Sequence, residues 1–225
     1  MKIYTLHSVA DNGLSLSVKD FTSFVRHLKR SYRVINADEF CNGDWNDQCA
    51  MLTFDDCFSD NFTNALPILT AFQIPATFFC AIGYANKIMW GSVEQQRWAE
   101  EKSDIFNIPF SFMSIEELKV LKQLGHEIGC HTYSHRNLDE LSEGDQKYEI
   151  FESKKELEYL MQSPIRFFAY PRGRYNTCSL DCVASAGYDF GFSTRASECS
   201  KPSISQDKFS LPRLPVAKKR FSRWL

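Results

Sequence analysis

Short apolar runs alternate with amphipathic stretches along the 225-residue chain, the pattern of buried strands covered by helices rather than of separate all-helical and all-strand parts. The apolar runs predict strands at about 2–7, 49–54, 76–82, 126–130, 166–170, 188–193 and 211–216, with helices in most of the gaps. Ser114-Ile-Glu-Glu117 is a capping box, in which a serine and a glutamate three residues apart satisfy each other's free backbone N–H groups. It opens a helix with Leu118, Leu121 and Leu124 on one face, and Gly125 stops it. Ser142 opens a long helix that ends before Ser163-Pro164, because the residue ahead of a proline is pushed out of the helical region. Strands joined through helices by short connections require right-handed crossovers and a mainly parallel sheet. No linker or repeat interrupts the pattern, so residues 1–225 are read as a single domain. The fold class is α/β, either a doubly wound layer or a small barrel, and seven strands favour the barrel. In both versions functional groups project from the carboxyl ends of the strands.

Composition narrows the function classes. Apolar residues make up 44% and aromatic residues 14% of the chain, with only 10 Gly and 8 Pro, which supplies a core and excludes disorder as the main state. A formal charge of −2 gives no broad positive field, so nucleic acid is not an expected partner. The cysteines at 41, 49, 57, 80, 130, 178, 182 and 199 lie in a domain large enough to fold without staples and are read as reduced. The opening residues MKIYTLHSVADNG make a poor secretory core, and with reduced thiols this predicts a cytoplasmic protein. The uncharged run 61–86 contains Pro67 and Pro75 and reads as a buried helix followed by a strand, not as an integral membrane segment. Residues 218–225 mix basic and aromatic side chains and read as a solvated tail, with at most weak contact to an anionic membrane surface. Phe106 to Phe112 reads as a core loop, and Cys178 and Cys182 as thiols on a core-facing helix.

Three stretches carry candidate chemistry. In Ala50-Met-Leu-Thr-Phe-Asp55-Asp56-Cys57 a strand ends in two adjacent carboxylates, which is either a polar turn with a helix cap or a pair in which a cation neutralises one acid and leaves the other as a base. In Gly125-His-Glu-Ile-Gly-Cys-His131-Thr-Tyr-Ser-His135 two imidazoles stand four residues apart, a spacing that puts both on one face if the segment is helical. They are either hydrogen-bonded loop residues or metal ligands, and both motifs follow predicted strands and so meet at one edge. One carboxylate and two imidazoles leave positions open for water, as in a catalytic zinc site. In Phe167-Phe-Ala-Tyr170-Pro171-Arg172-Gly173 a strand runs into a turn that either forms a groove wall for a sugar or simply joins strand to helix.

Thr53-Phe-Asp-Asp-Cys57, His131-Thr-Tyr-Ser-His135 and Phe168-Ala-Tyr-Pro-Arg-Gly173, in that order, resemble the first three motifs of the polysaccharide deacetylase family with its NodB-type domain. Leu6-His7-Ser-Val9 and the Tyr-Pro turn are similar to the branch that acts on poly-N-acetylglucosamine. The resemblance implies a distorted, incomplete (β/α) barrel and metal-dependent removal of N- or O-acetyl groups from carbohydrate. It places Asp55 as catalytic base and Asp56, His131 and His135 as metal ligands, with Tyr170, Pro171, Arg172 and Gly173 along the substrate. The ion implied is one divalent metal, zinc first, with cobalt, nickel or iron(II) also compatible. The chain departs from the family pattern in three places. Cys57 stands where a glycine is usual, Ala169 where many relatives have arginine, and no histidine follows His135 to serve as the acid. His7 is either the first substitute acid or a core histidine behind the site, and Arg213, where similar proteins carry a C-terminal arginine, either pairs with Asp55 and keeps it ionised or lies on the surface. The expected partner is a carbohydrate, such as a surface-polysaccharide precursor. Rival readings are hydrolysis of another amide, a formamide or cyclic ureide, and a sugar- or metal-binding protein without turnover.

Overall fold

The computed structural model describes residues 1–11, 16–85, 111–201 and 207–216. Eight strands, β1 (Lys2–Leu6), β2 (Arg33–Val34), β3 (Cys49–Phe54), β4 (Thr77–Cys80), β5 (Glu127–Cys130), β6 (Phe167–Ala169), β7 (Phe190–Phe192) and β8 (Leu214–Pro215), form one sheet. Its order is β7-β6-β5-β4-β3-β1-β8, and every pairing is parallel. Seven of these strands coincide with predicted apolar runs. The two-residue β2 has no apolar run of its own and pairs with the start of β3, whose end pairs with β4. All six residues of β3 are buried, as expected for a parallel strand covered on both faces.

Alternation along the strands divides the core in two. Ile3, Met51, Phe79, Phe167 and Phe192 turn to the barrel interior, where they meet Phe40 and Trp45. Tyr4, Leu52, Phe78 and Phe168 turn outward against the helices. The outer layer includes α1 (Val18–Ser31), which Ser17 caps and which buries Phe21, Phe24, Val25 and Leu28 at helical spacing. It also includes α2 (Ala37–Cys41), α3 (Leu66–Phe72), α4 (Ile82–Ala85) and α5 (Ile115–Gln123). The Ser114–Glu117 capping box opens α5 as expected, but Leu124 falls at its C-cap and is 54% exposed instead of sharing the buried face of Leu118 and Leu121.

The helix after Ser142 runs without a gap from Glu143 to Met161, as expected, but contains a π-helical turn. It consists of α6 (Glu143–Lys147), a π-helical turn (Tyr148–Glu152) and α7 (Ser153–Met161); α8 (Thr177–Ser185) follows β6. The sheet is a distorted, incomplete barrel whose two edges are bridged by the segment 211–216. Leu211 exchanges backbone hydrogen bonds of 2.8 Å with Gly191 and Ser193 at β7, and Val216 donates to Thr5 of β1 at 2.9 Å. Gly191 permits this approach, since a Cβ there would lie 2.4 Å from the Phe209 carbonyl oxygen.

All eight cysteines are free. Cys182 is buried and Cys178 half-buried, their sulfurs 4.0 Å apart. Phe112 packs in a small aromatic cluster with Phe58 and Tyr84, while residues 106–110 of the expected core loop, and the basic tail 218–225, lie outside the described residues. Among the described residues, no helix is long and apolar enough to cross a membrane.

His126, just before β5, lies under the barrel against Phe78, where its Nδ1 accepts the Ala76 N–H at 3.2 Å. Burial lowers its pKa from 6.5 to about 4. The unfolded chain therefore takes up this proton first, and stability falls as pH drops through that window, by up to ~3 kcal/mol. Urea unfolding between pH 6.5 and 4.5 checks this, and His126→Asn, which keeps an acceptor near the Nδ1 position, is expected to flatten the slope.

Candidate metal centre and catalytic carboxylate

The sheet register brings the functional loops together at the carboxyl edge. β1 and β3 run side by side to Leu6 and Phe54, and Asp55 continues the ladder by donating its N–H to the Leu6 carbonyl at 2.9 Å. His7 thus leaves β1 beside the Asp55-Asp56 pair leaving β3. Two strands along from β3, Cys80 of β4 pairs with Cys130 of β5, which places His131 on the same rim.

Asp55 is buried and held by Arg213, whose side chain has no exposed surface. The two guanidinium nitrogens donate to Oδ1 and Oδ2 at 2.7 and 2.8 Å. Arg213 also donates to Thr53 Oγ1 at 3.1 Å and, through Nε, to the Ser193 carbonyl at 3.0 Å. Its guanidinium carbon lies 5.3 Å from the centre of the Phe79 ring. Four donated hydrogen bonds compensate the cation for leaving water, and the fork geometry fixes the plane of the carboxylate. Burial pushes the Asp55 pKa up, but the charge and hydrogen bonds of Arg213 oppose it and the group is held below the ordinary carboxylate value.

Asp56, His131 and His135 are all buried and offer one ligand atom each within 4.8 Å of one another. Asp56 Oδ1 lies 3.1 Å from His135 Nε2 and 3.5 Å from His131 Nε2. The Nδ1 of His131 is 2.7 Å from the Ala169 carbonyl. A carbonyl only accepts, so the ring proton sits on Nδ1 and the Nε2 lone pair faces Asp56. Neither oxygen of Asp56 has a hydrogen-bond donor. A buried carboxylate that accepts no hydrogen bond and has imidazole nitrogens as close neighbours becomes satisfied when a cation sits between them. The residues present therefore fit a divalent metal ion.

The histidines do not share a helical turn. Residues 131–136 form an irregular loop in which Thr132 and His135 have φ of 68° and 60°, and this double bend brings the two rings to 5.0 Å between centroids. Asp56 and Cys57 are likewise left-handed, with φ of 70° and 53°, so the loop keeps a glycine-like conformation at Cys57 and carries the strain of a side chain there.

The third loop differs from its expected role. The Tyr170 side chain is fully buried between Phe168 and Tyr175, so its ring presents no face to a sugar, and Pro171 is buried as well. Gly173 (φ 69°) meets the protein and not a ligand, since a Cβ there would lie 2.0 Å from Thr194 Oγ1. Arg172 is the exposed residue of the turn. The N–H groups of Tyr170 and Gly173 are already taken up by Phe192 and Tyr170 carbonyls at 3.0 and 2.8 Å.

His7 is half-buried and leaves β1 at the rim where Asp55 and Asp56 leave β3. Its loop is fixed by residues outside the three motifs. Asn61 donates to the His7 carbonyl at 2.9 Å, and Asp60 accepts from Ser8 Oγ at 2.6 Å and from the Val9 N–H at 2.9 Å. The signal available for them is their place at the start of the helical segment that follows the aspartate pair, where their polar side chains reach the loop after β1.

A parallel α/β barrel that carries a charge-compensated carboxylate beside an Asp-His-His cluster has the parts of a hydrolase site. The chain belongs to the polysaccharide deacetylase family, whose family model matches residues 42–191. A poly-beta-1,6-N-acetyl-D-glucosamine N-deacetylase of Staphylococcus aureus is 24% identical over 228 residues, covering 93% of this chain and 72% of that protein. Among solved structures, the Streptococcus pyogenes deacetylase PplD in complex with acetate superposes with a TM-score of 0.78 at 22% identity, covering 96% of this chain and 92% of that one. IcaB from Ammonifex degensii superposes with a TM-score of 0.79 at 20% identity, covering 99% and 94% respectively.

Proposed function

We propose that this protein is a metal-dependent hydrolase that releases acetate from an N-acetylated carbohydrate, with chains of β-1,6-linked N-acetylglucosamine as the first substrate class. The observation that carries the reading is the ionised Asp55, clamped by Arg213, directly beside the unpartnered Asp56 carboxylate and the two imidazoles. The S. aureus relative supports the choice of sugar. Asp56, His131 and His135 would hold one divalent ion, with zinc preferred because an open three-ligand site of one oxygen and two nitrogens suits it; cobalt, nickel and iron(II) also fit. When bound, such an ion supplies Lewis acidity to the acyl carbonyl and acidifies the attacking water.

The chain's own residues then divide the proton transfers. Asp55 takes the proton of the water as it attacks the carbonyl carbon, with Arg213 holding the carboxylate ionised and its plane fixed. His7, on the neighbouring strand end, gives a proton to the departing amine. A site that retains its base and the cation compensating it is built for turnover, which favours catalysis over a binding-only role.

Metal analysis and acetate release, with a β-1,6-linked N-acetylglucosamine oligomer as substrate, test the proposal. Wild type is expected to carry one equivalent of metal and release acetate, and His131→Ala to lose both. Wild-type metal occupancy in His131→Ala contradicts the ligand assignment. Formate release from a formamide with no acetate release points to another amide as the substrate.

A further inference from the structure

Glu149 is a buried acid with no part in the proton transfers above. It lies in the π-helical turn Tyr148–Glu152, between α6 and α7, and is 2% exposed, whereas its neighbours Tyr148 and Phe151 are 53% and 37% exposed. The turn therefore runs against the usual rule, with an acid inside and two aromatic rings outside. An extra residue in a helical turn rotates the following side chains, and such turns recur at functional sites.

The reason for the inversion lies across the gap from Glu149. One carboxylate oxygen accepts the Tyr133 N–H at 2.9 Å and the Ser134 N–H at 2.8 Å, and the other accepts the Ser134 hydroxyl. Tyr133 and Ser134 are the two middle residues of the loop that separates His131 from His135, and they sit between its two left-handed residues, Thr132 and His135. The same loop is held from its other side. Gly83 donates to the Tyr133 carbonyl at 2.9 Å, and the Tyr84 hydroxyl donates to the Ser134 carbonyl at 3.0 Å. The Thr132 hydroxyl accepts the His135 N–H at 2.9 Å. Among these contacts, Glu149 alone brings a formal charge and takes three donors. Without it, two buried N–H groups would lose their acceptor and the double bend that swings His135 toward His131 would lose its anchor.

We infer that Glu149 is a positioning residue for the metal centre: its carboxylate holds the Tyr133-Ser134 bend and so sets the separation of the two imidazole ligands before a metal arrives. This rests on the metal-site reading proposed above. It assigns the loop's rigidity to a residue from a different helix, 14 positions beyond His135 in the sequence. Preorganising ligands in this way raises metal affinity without touching the metal, and loss of such support typically costs about 10- to 100-fold in affinity.

Cobalt(II) titration of the metal-free full chain, followed by its visible d–d bands, tests the inference. Wild type is expected to bind one equivalent. Glu149→Ala is expected to bind about 10- to 100-fold more weakly with altered band intensity. Glu149→Gln, whose amide oxygen can still face the two N–H groups, is expected to recover most of the affinity. If wild type binds no cobalt, the metal-site reading fails. If wild type binds and Glu149→Ala binds equally tightly with the same bands, the positioning role fails while the metal site stands. Should Glu149→Ala not fold, Glu149→Asp, which withdraws the carboxylate by one methylene, replaces it, and wild-type affinity in that variant overturns the inference.

Discussion

Asp55→Asn is expected to lower the turnover number for acetate release by roughly 10²- to 10⁴-fold, the usual span for loss of a general base, while metal content stays at the wild-type level. The asparagine keeps the size and one acceptor oxygen but has no basic oxygen for the proton of water. Asp55 is not one of the three clustered ligand residues, so metal occupancy is expected to be independent of it. The substitution also leaves Arg213 less well compensated, so the comparison belongs at a temperature well below the variant's melting point. Metal analysis and acetate release on the same sample provide the check. Activity within a few-fold of wild type would remove Asp55 from the base role.

Arg213→Leu is expected to produce the largest loss of stability. It strips the partner from a buried carboxylate and also leaves the Ser193 carbonyl without its donor. Breaking one side of a buried ion pair costs about 3–5 kcal/mol, far more than a surface pair is worth. For a domain of this size each kcal/mol shifts the melting temperature by roughly 2–4 °C, so a drop on the order of 10 °C is expected. Activity is expected to respond in a second way. Burial raises the Asp55 pKa and Arg213 is the first of the influences opposing it, so without Arg213 the base is protonated up to a higher pH. The acid limb of kcat/KM then moves to higher pH. Thermal melts and a pH–rate profile read the two effects separately. The double variant Asp55→Asn/Arg213→Leu is expected to be more stable than Arg213→Leu, because no uncompensated charge remains. An Arg213→Leu variant that melts with wild type would show that the pair contributes nothing net.

Strain concentrates where the chemistry is placed. Among the described residues, seven non-glycine residues have positive φ, and two of them, Gln73 and Gln162, are helix C-caps. The other five, Asp56, Cys57, Thr132, His135 and Arg172, lie in the three loops at the carboxyl edge of the sheet. Each costs about 1 kcal/mol or more and persists only because the surroundings fix it. Arg213 against Asp55, Ala169 against His131 and Glu149 against Tyr133 and Ser134 are the visible fixings. The site is thus held in shape by hydrogen bonds from remote parts of the chain, at the expense of local backbone comfort.

Seven strands and a mainly parallel sheet were legible along the chain, and the resemblance of its motifs to the family singled out the incomplete barrel and Asp56, His131 and His135. Strand burial and helix capping are local properties, and a strand that ends in Asp-Asp or His-x3-His announces its cargo at the point where the chain reaches the rim. The resemblance to the family also pointed to Arg213 as a partner for Asp55, where similar proteins carry a C-terminal arginine. Tertiary structure alone decided the rest. The left-handed bends at Thr132 and His135 bring the rings together without a helical turn, because contacts from Glu149 and Tyr84 hold the loop between them. The burial of Tyr170 depends on Phe168 and Tyr175 closing around it, and the close contact at Gly173 on Thr194 arriving from β7. Glu149 falls on the buried face of its helix with Gln146, Ile150 and Ser153, and only its contacts with Tyr133 and Ser134 across the gap show why an acid stands there. Periodicity reports which face of an element a residue takes; what it meets across the gap depends on how distant segments pack, and only the packed molecule contains that answer.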